Sequence, residues 1–271
     1  MQESFIRQKK VEYVSKGLHS NRGESPVWDR QSLIDGWDQQ KLQKLCVLLI
    51  GAGGNSLAAW MLVRMGFNVH IVDYDEVELT NLPRQFYYHS DIGTNKAIAL
   101  ARNLVKEATC NSRIVGWAMS FQELVEDYPE ILKDVDVGIC FVDDKDTRYD
   151  VAECFFRLQK PVFFSAISES TTYGYVFYQE PKKGKPCFGC AFPPQAELKI
   201  DDTRCRSPSV IYIHLNVLSV IVFAISETLV RNRKLKWHLM NLWLDNGVSQ
   251  ACNPPLRSGC HVCGNLRGDE K

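Results

Sequence analysis

One stretch constrains the fold more than any other part of the chain. It opens with an apolar run, Cys46–Ile50, of the kind that a parallel strand buried on both faces shows. A glycine-rich turn follows, and then a predicted helix over Ser56–Met65. A second predicted strand, Asn68–Val72, ends directly before Asp73. Strand, glycine turn, helix and second strand in this order are typical of a nucleotide-binding α/β sheet.

The residue types in this unit suit a phosphorylated ligand. Gly51, Gly53 and Gly54 let the backbone turn sharply and approach a ligand without a Cβ in the way. The helix that follows offers free N–H groups and a positive dipole to a phosphate. Asp73, at the end of the second strand, can bond a ribose hydroxyl. Because Ser56 stands where the dinucleotide fingerprint has its third glycine, this turn alone also fits an ordinary strand-to-helix connection.

The residues after Asp73 favour a nucleoside triphosphate over a dinucleotide. A triphosphate carries several charges that must be neutralised, and Arg84 and Lys96 would supply the cations. A solvated charged loop is the alternative. The predicted nucleotide contacts are therefore Gly51, Gly53, Gly54, Asp73, Asp75, Asn81, Arg84, Gln85 and Lys96.

Four short segments together resemble one enzyme family. They read G-x-G-G at 51–54, D-x-D at 73–75, N-L-x-R-Q at 81–85 and G-x-x-K at 93–96. The set is similar to the ubiquitin-activating-enzyme-like adenylyltransferases of the ThiF, MoeB and HesA type, and the resemblance extends in order from Trp28 to Gly264. It implies an α/β fold with a Rossmann-like, mainly parallel sheet flanked by helices, and an antiparallel extension. It also implies adenylation by ATP and magnesium of the C-terminal carboxylate of a ubiquitin-like or sulfur-carrier protein, with release of pyrophosphate.

Three further residues receive roles from this resemblance. Arg30 matches a family arginine that reaches the ATP of the partner subunit in dimeric members, and it could instead be a surface arginine. Asp143 matches the acid that holds magnesium, in a segment where Asp144 replaces the family's asparagine; the alternative is a helix cap. Cys205 lies in a loop that carries a working cysteine in some members and is passive in others. The predicted catalytic residues are Arg30, Arg84, Lys96, Asp143 and Cys205.

Two cysteine pairs predict a zinc site. Cys187 and Cys190 form one C-x-x-C, and Cys260 and Cys263 form another. Four thiolates can close tetrahedrally around zinc, and a closed site of this kind has a structural role. The ending Gly259–Gly264 recurs in the family, which implies that the two distant pairs meet. Unrelated reduced cysteines and disulfides are the alternatives.

The composition indicates which classes of partner and which cellular compartment suit this chain. Lys plus Arg and Asp plus Glu are equal at 32 each, so nothing indicates nucleic acid or an anionic membrane as a partner. The N-terminus has no apolar h-region, and the ten cysteines suit reduced thiols, which together predict a cytoplasmic protein. The most apolar stretch, Val210–Ile225, is shorter than the roughly 20 residues of a membrane span and is predicted to be a buried helix.

The organisation predicted from the sequence is a polar arm over residues 1–25 and one ATP-binding domain over residues 26–271. The arm is expected to be loosely ordered or to hold one short helix, and to cross to the partner in a homodimer. Three other functions stay open at this point: adenylation of a peptide precursor of a natural product, an NAD(P)-dependent oxidoreductase, and a non-catalytic partner in a heterodimer. Neither the acceptor nor the pathway follows from the sequence.

Overall fold

The computed structural model describes residues 9–15, 26–182, 184–194 and 208–264. The chain divides between Val135 and Asp136 into two compact units. The assignment of residues 26–271 to a single domain stays a prediction.

Within its described residues, the first unit contains four strands and six α-helices. The strands are β1 (Lys10–Val14), β2 (Cys46–Ile50), β3 (Asn68–Val72) and β4 (Arg113–Trp117). The helices are α1 (Asp29–Ser32), α2 (Gln39–Leu42), α3 (Asn55–Met65), α4 (Lys96–Leu104), α5 (Phe121–Asp127) and α6 (Ile131–Asp134). The strands lie in the order β1-β4-β3-β2, in which β2, β3 and β4 are parallel and β1 is antiparallel to β4.

Close packing fixes the helices on the parallel strands. All five residues of β2 are buried, as the unbroken apolar run predicted. Helix α3 ends at Gly66, whose φ of 104° is the left-handed conformation that glycine adopts without strain. Helix α4 approaches β4 so closely that a Cβ at Gly116 would lie 2.4 Å from the carbonyl oxygen of Ala97. The contact fixes the first turn of α4, and with it Lys96, against the sheet.

Strand β1 corrects the prediction for the N-terminal arm. Lys10–Val14 is neither loosely ordered nor helical, because it pairs with β4 along its whole length. Glu12 accepts a hydrogen bond of 2.7 Å from Arg113 Nε, and the Lys10 ammonium lies 4.8 Å from the centre of the Trp117 ring. These partners lie about a hundred positions away, so a local pattern could not reveal them.

The described part of the second unit contains five strands and three α-helices. The elements are β5 (Val137–Cys140), α7 (Lys145–Arg157), β6 (Val162–Ile167), β7 (Tyr173–Gln179), α8 (Phe188–Ala191), α9 (Ile211–Ile225), β8 (Leu239–Trp243) and β9 (Val248–Cys252). They form the strand order β5-β6-β7-β8-β9, with β5 and β6 parallel and the remaining pairs antiparallel. The α/β class and the antiparallel extension are thus confirmed, and β9 is an additional strand that the sequence analysis did not predict.

One helical stretch meets the length and composition expected of a membrane span. It comprises α9 and a π-helical turn, covers Ile211–Val230 and has 20 residues, more than the apolar run on which the sequence prediction rested. It packs on β6 and β7, and a Cβ at Gly174 of β7 would lie 2.6 Å from a methyl group of Val217. This close packing is typical of a core helix, as predicted.

Candidate functional site

The predicted ribose acid and the glycine loop (residues 51–54) contact each other directly. Gly51 has a φ of 85° and its N–H donates to the carbonyl of Val72 at 2.9 Å, which turns the chain at the end of β2. The Ala52 N–H donates to Asp73 Oδ2 at 2.6 Å, and the Asp75 N–H donates to Asp73 Oδ1 at 2.8 Å. Burial raises the pKa of Asp73, while Lys96 and these two N–H groups oppose the rise. The carboxylate is thereby fixed beside the loop.

The start of α3 is open to an anion. Its N-cap is Gly54, so no side chain caps the helix, and its first turn contains no acidic residue. The segment after β3 is fastened to this turn, since the Phe86 N–H donates to Ser56 Oγ at 2.9 Å. The Gln85 amide nitrogen lies 3.4 Å from where a Cβ of Gly53 would be. Free N–H groups at a helix N-terminus bind phosphates.

Asn81 shapes the turn that presents Arg84 and Gln85. The backbone N–H groups of Arg84 and Gln85 donate to the Asn81 carbonyl at 3.1 and 3.0 Å. The Asn81 side-chain oxygen accepts from the Glu78 N–H at 2.8 Å. The structure therefore gives Asn81 a supporting position, and the phosphate contact assigned to it from the sequence stays a prediction.

Two polar atoms at this turn are buried without a hydrogen-bond partner among the residues that the structure describes. They are Arg84 Nε and Gln85 Oε1. Leaving a buried polar group unpaired costs about 1–3 kcal/mol, so each of these two atoms is a candidate for contact with a ligand. Arg84 Nε is a donor that suits a phosphate oxygen. Gln85 Oε1 is an acceptor and suits a hydroxyl group instead.

Lys96 is held at the first position of α4. Its Nζ lies 2.9 Å from Asp75 Oδ2, and its side chain is 12% exposed against 52% for Asp75. Asn95 caps α4 by accepting from the Ile98 N–H, and its amide group donates to the carbonyls of Asp73 and Asp75 at 2.9 and 3.1 Å. The sequence analysis missed Asn95, although an asparagine before a helix start is a recognised N-cap signal.

Arg30 and Asp143, two of the remaining predicted catalytic residues, are exposed. Arg30 lies exposed in α1 of the first unit. Asp143 lies exposed after β5 in the second unit, and Asp144 caps α7 by accepting from the Thr147 N–H at 2.7 Å. Cys205 is outside the described residues.

The second unit brings the two cysteine pairs together. The sulfur atoms of Cys187, Cys190, Cys260 and Cys263 all lie within 4.8 Å of one another, and all four residues are buried. The shortest separations, 3.5 Å from Cys187 to Cys260 and 3.6 Å from Cys190 to Cys263, are far longer than a disulfide bond. Tetrahedral zinc–thiolate bonds of about 2.3 Å would separate the sulfurs by about 3.8 Å. The donor set therefore fits a closed zinc site.

Matching turns support the two pairs. The Ala191 N–H donates to the Cys187 carbonyl at 3.2 Å, and the Gly264 N–H donates to the Cys260 carbonyl at 2.6 Å. A Cβ at Gly189 would lie 2.8 Å from a methyl group of Val262, so the turns pack tightly against each other. Burial raises the pKa of Cys187, so a thiolate without a partner is disfavoured at this position. A bound cation would stabilise the thiolate.

The chain belongs to the ThiF family, whose sequence model matches residues 29–269. The match includes both the candidate nucleotide site of the first unit and the cysteine cluster of the second. The family resemblance seen in the four short segments is confirmed.

Comparisons with individual proteins agree with this assignment. The adenylyltransferase and sulfurtransferase MOCS3 of Anopheles gambiae is 35% identical over 183 residues, which cover 64% of this chain and 39% of that protein. The sulfur carrier protein adenylyltransferase of Thermus thermophilus is 32% identical over 160 residues, which cover 57% of this chain and 58% of that protein. The chain thus aligns with about two fifths to three fifths of these relatives. A crystal structure of Escherichia coli MccB with AMPCPP and MccA has the same fold, with a TM-score of 0.72, 19% identity and coverage of 90% of this chain and 76% of that one.

Proposed function

We propose that this protein uses ATP to adenylate the C-terminal carboxylate of a ubiquitin-like or sulfur-carrier protein. One observation carries the proposal. The buried Arg84 Nε has no partner among the described residues, and it belongs to a segment fastened to the uncapped N-terminus of α3. A donor placed in this way suits a phosphate group. Family membership and the names of the two adenylyltransferase relatives support the same chemistry.

The proposed reaction is a transfer of the adenylyl group. A carboxylate oxygen of the acceptor attacks the α-phosphorus of ATP, and the bond from the α-phosphorus to the bridging β-oxygen breaks. The products are an acyl adenylate and pyrophosphate, which takes the electron pair of the broken bond. No side-chain nucleophile is needed, so positioning and neutralisation of charge lower the barrier.

Four features of the candidate site in the first unit have a part in this proposal. Asp73 accepts hydrogen bonds from the ribose hydroxyls, and the amides of the glycine loop bind the phosphates. Arg84 and Lys96 stabilise the charge that develops on the leaving pyrophosphate. Lys96 is paired with Asp75 at 2.9 Å, so nucleotide binding would share or replace that ion pair.

The metals and the assembly are further parts of the proposal. Asp143 is an exposed carboxylate at the end of a parallel strand, and an oxygen ligand of this kind suits magnesium, which would neutralise phosphate charge. The four clustered cysteines would hold a structural zinc ion. We propose a homodimer in which Arg30 reaches the partner's ATP, and a cytoplasmic location in which these thiols stay reduced.

Adenylation of a peptide is the second candidate, and the fold shared with MccB, solved together with MccA, favours keeping it. The oxidoreductase alternative loses its support, because the chain belongs to the ThiF family. The two acceptor classes differ in what presents the carboxylate, namely a folded carrier with a flexible tail or a short peptide.

Exchange of labelled pyrophosphate into ATP tests the proposal. We expect magnesium-dependent exchange only with an acceptor that has a free C-terminal carboxylate. The arms are a ubiquitin-like protein ending in Gly-Gly, its C-terminal amide, and a free peptide with the same ending. Exchange with the carrier alone supports the main proposal, and exchange with the peptide alone supports the second candidate.

The variant Lys96→Ala should lower exchange by about 30- to 1000-fold, because one charge-assisted contact to a leaving group contributes about 2–4 kcal/mol. Lys106→Ala, which removes an exposed lysine that follows α4, is the matched control and should exchange at the wild-type rate. Wild-type exchange by Lys96→Ala would contradict the role of Lys96. Absence of exchange in the wild type with every acceptor would contradict the proposed function.

A further inference from the structure

The backbone of Ala52 is held through both its N–H and its carbonyl group. Its N–H donates to Asp73 Oδ2 at 2.6 Å, and its carbonyl oxygen accepts from the Tyr87 hydroxyl at 2.8 Å. Ala52 is fully buried, so water cannot replace either partner. Two side chains from distant parts of the first unit therefore fix the orientation of the second residue of the glycine loop.

Tyr87 also contacts the start of α4. Its hydroxyl lies 3.3 Å from the carbonyl oxygen of Lys96, and its side chain is only 6% exposed. A hydroxyl has a single hydrogen, so the shorter contact to Ala52 is the stronger bond and the contact to Lys96 is a weaker, shared one. One buried hydroxyl thus ties the glycine loop to the turn that carries the phosphate-binding lysine.

The Ala52 carbonyl and the Gly53 N–H share one planar peptide group and point in opposite directions, so fixing the carbonyl also fixes this N–H. Gly53 and Gly54 come directly after it, and Gly54 is the N-cap of α3. A loop binds phosphate through its N–H groups only if its carbonyl oxygens turn away, because a carbonyl facing the phosphate would repel it. The Tyr87 hydroxyl binds the Ala52 carbonyl inside the protein and keeps it from turning.

The ribose acid has independent support. Asp73 accepts a second hydrogen bond from the Asp75 N–H at 2.8 Å, and its own N–H donates to the Trp117 carbonyl at 3.1 Å. Neither contact involves Tyr87. Loss of the Tyr87 hydroxyl would therefore loosen the phosphate-binding loop more than the carboxylate that faces the ribose.

We propose that Tyr87 is a positioning residue that holds the glycine loop in its phosphate-binding conformation and couples it to Lys96. The inference rests on the proposed function, since it concerns ATP at the same site. It predicts that loss of the Tyr87 hydroxyl weakens the binding of the phosphate groups and not that of the nucleoside. Tyr87 touches neither the ATP nor the acceptor in this role.

The test compares ATP and adenosine as probes of one variant. Tyr87→Phe keeps the ring and removes only the hydroxyl, and binding is measured by calorimetry on folded protein. One lost hydrogen bond corresponds to about a 3- to 10-fold weaker affinity, and we expect this change for ATP. Adenosine, which has no phosphate, should bind within about 2-fold of wild type. In pyrophosphate exchange the KM for ATP should rise by the same factor as the dissociation constant.

Tyr128→Phe is the matched control, because Tyr128 belongs to the same unit and its ring packs on Trp117 at 5.0 Å. It should leave the affinity for both probes unchanged. Equal losses for ATP and adenosine in Tyr87→Phe would show a merely structural role and overturn the inference. Wild-type ATP affinity in Tyr87→Phe would overturn it as well while leaving the proposed function intact. Failure of the wild type itself to bind ATP would overturn both.

Discussion

Acid should destabilise the first unit through a single buried histidine. His70 lies in β3 and is 1% exposed. Its Nδ1 accepts from Trp117 Nε1 at 3.4 Å, and its Nε2 is buried without a partner among the described residues. Burial, helped by the charge of Arg113, lowers the pKa of His70 from 6.5 to about 4. The folded protein therefore resists protonation of a group that the unfolded chain protonates readily.

The sign and size of the effect follow from linkage. Above pH 6.5 the lowered pKa of His70 does not change the free energy of unfolding. As pH falls from 6.5 towards 4, the unfolded chain is protonated first and the folded protein loses stability. The full difference between these values corresponds to about 3 kcal/mol, of which about 2 kcal/mol is lost between pH 7 and pH 5. The pKa of Glu12 is lowered to about 2 by Arg113 and Lys10, so its contribution is lost mainly below pH 4.5. The interval from pH 7 to pH 5 therefore excludes the contribution of Glu12.

Urea unfolding at pH 7 and pH 5 measures the loss, and His70→Leu separates His70 from other groups. His238, whose pKa burial also lowers, titrates in both proteins and cancels in the comparison. The unpaired Trp117 indole N–H left by the substitution has a cost that does not change with pH. We expect the variant to lose about 2 kcal/mol less than wild type between pH 7 and pH 5. Equal losses in the two proteins would refute the reasoning.

Two further predictions concern the metal and the assembly. Protein purified without added metal should contain one zinc per chain by elemental analysis. The variant Cys187→Ser should lose the metal and become less stable, whereas the control Cys252→Ser should keep both the metal and the stability. Two disulfides with no metal would contradict the assignment. If Arg30 serves the partner's site, mixing inactive Arg30→Ala and Lys96→Ala dimers should restore activity to about half of wild type in the mixed species, since one of its two sites then has neither defect. Mutants that demonstrably exchange subunits without regaining activity would rule out this role for Arg30.

The parts of the fold that sequence reasoning predicted are those that local signals determine. The unbroken apolar run of β2 forms a buried strand where predicted. Strand β9, by contrast, is almost wholly exposed and has no apolar alternation. Its sole local signal is the Asn246-Gly247 turn before it, where Gly247 has a φ of 67°. Strand β1 depends on contacts with Arg113 and Trp117 that only the folded chain reveals.

The same distinction applies to the candidate site. Spacing and residue type select Asp73, Arg84 and Lys96 as candidate contacts, because a charged ligand needs charged partners, and their roles stay predictions. The supporting residues Asn95 and Tyr87 act through backbone carbonyls, to which their side chains donate. Which carbonyl lies within reach of a given side chain depends on the tertiary fold, so the sequence could not identify Tyr87. At Asn95 the sequence could reveal the N-cap but not the bonds to the Asp73 and Asp75 carbonyls.

The distance along the chain between the two cysteine pairs has a consequence for synthesis. Cys187 and Cys190 leave the ribosome 73 residues before Cys260 and Cys263. At about 5–20 residues per second this interval lasts roughly 4–15 seconds. Throughout it the nascent chain carries two of the four cysteine thiols without the other two ligands, so the four-sulfur cluster cannot close until Cys263 has been made. Oxidants and competing soft metals have their best access to the first pair during this interval, and the yield of correctly assembled protein should depend on zinc supply while translation is still in progress.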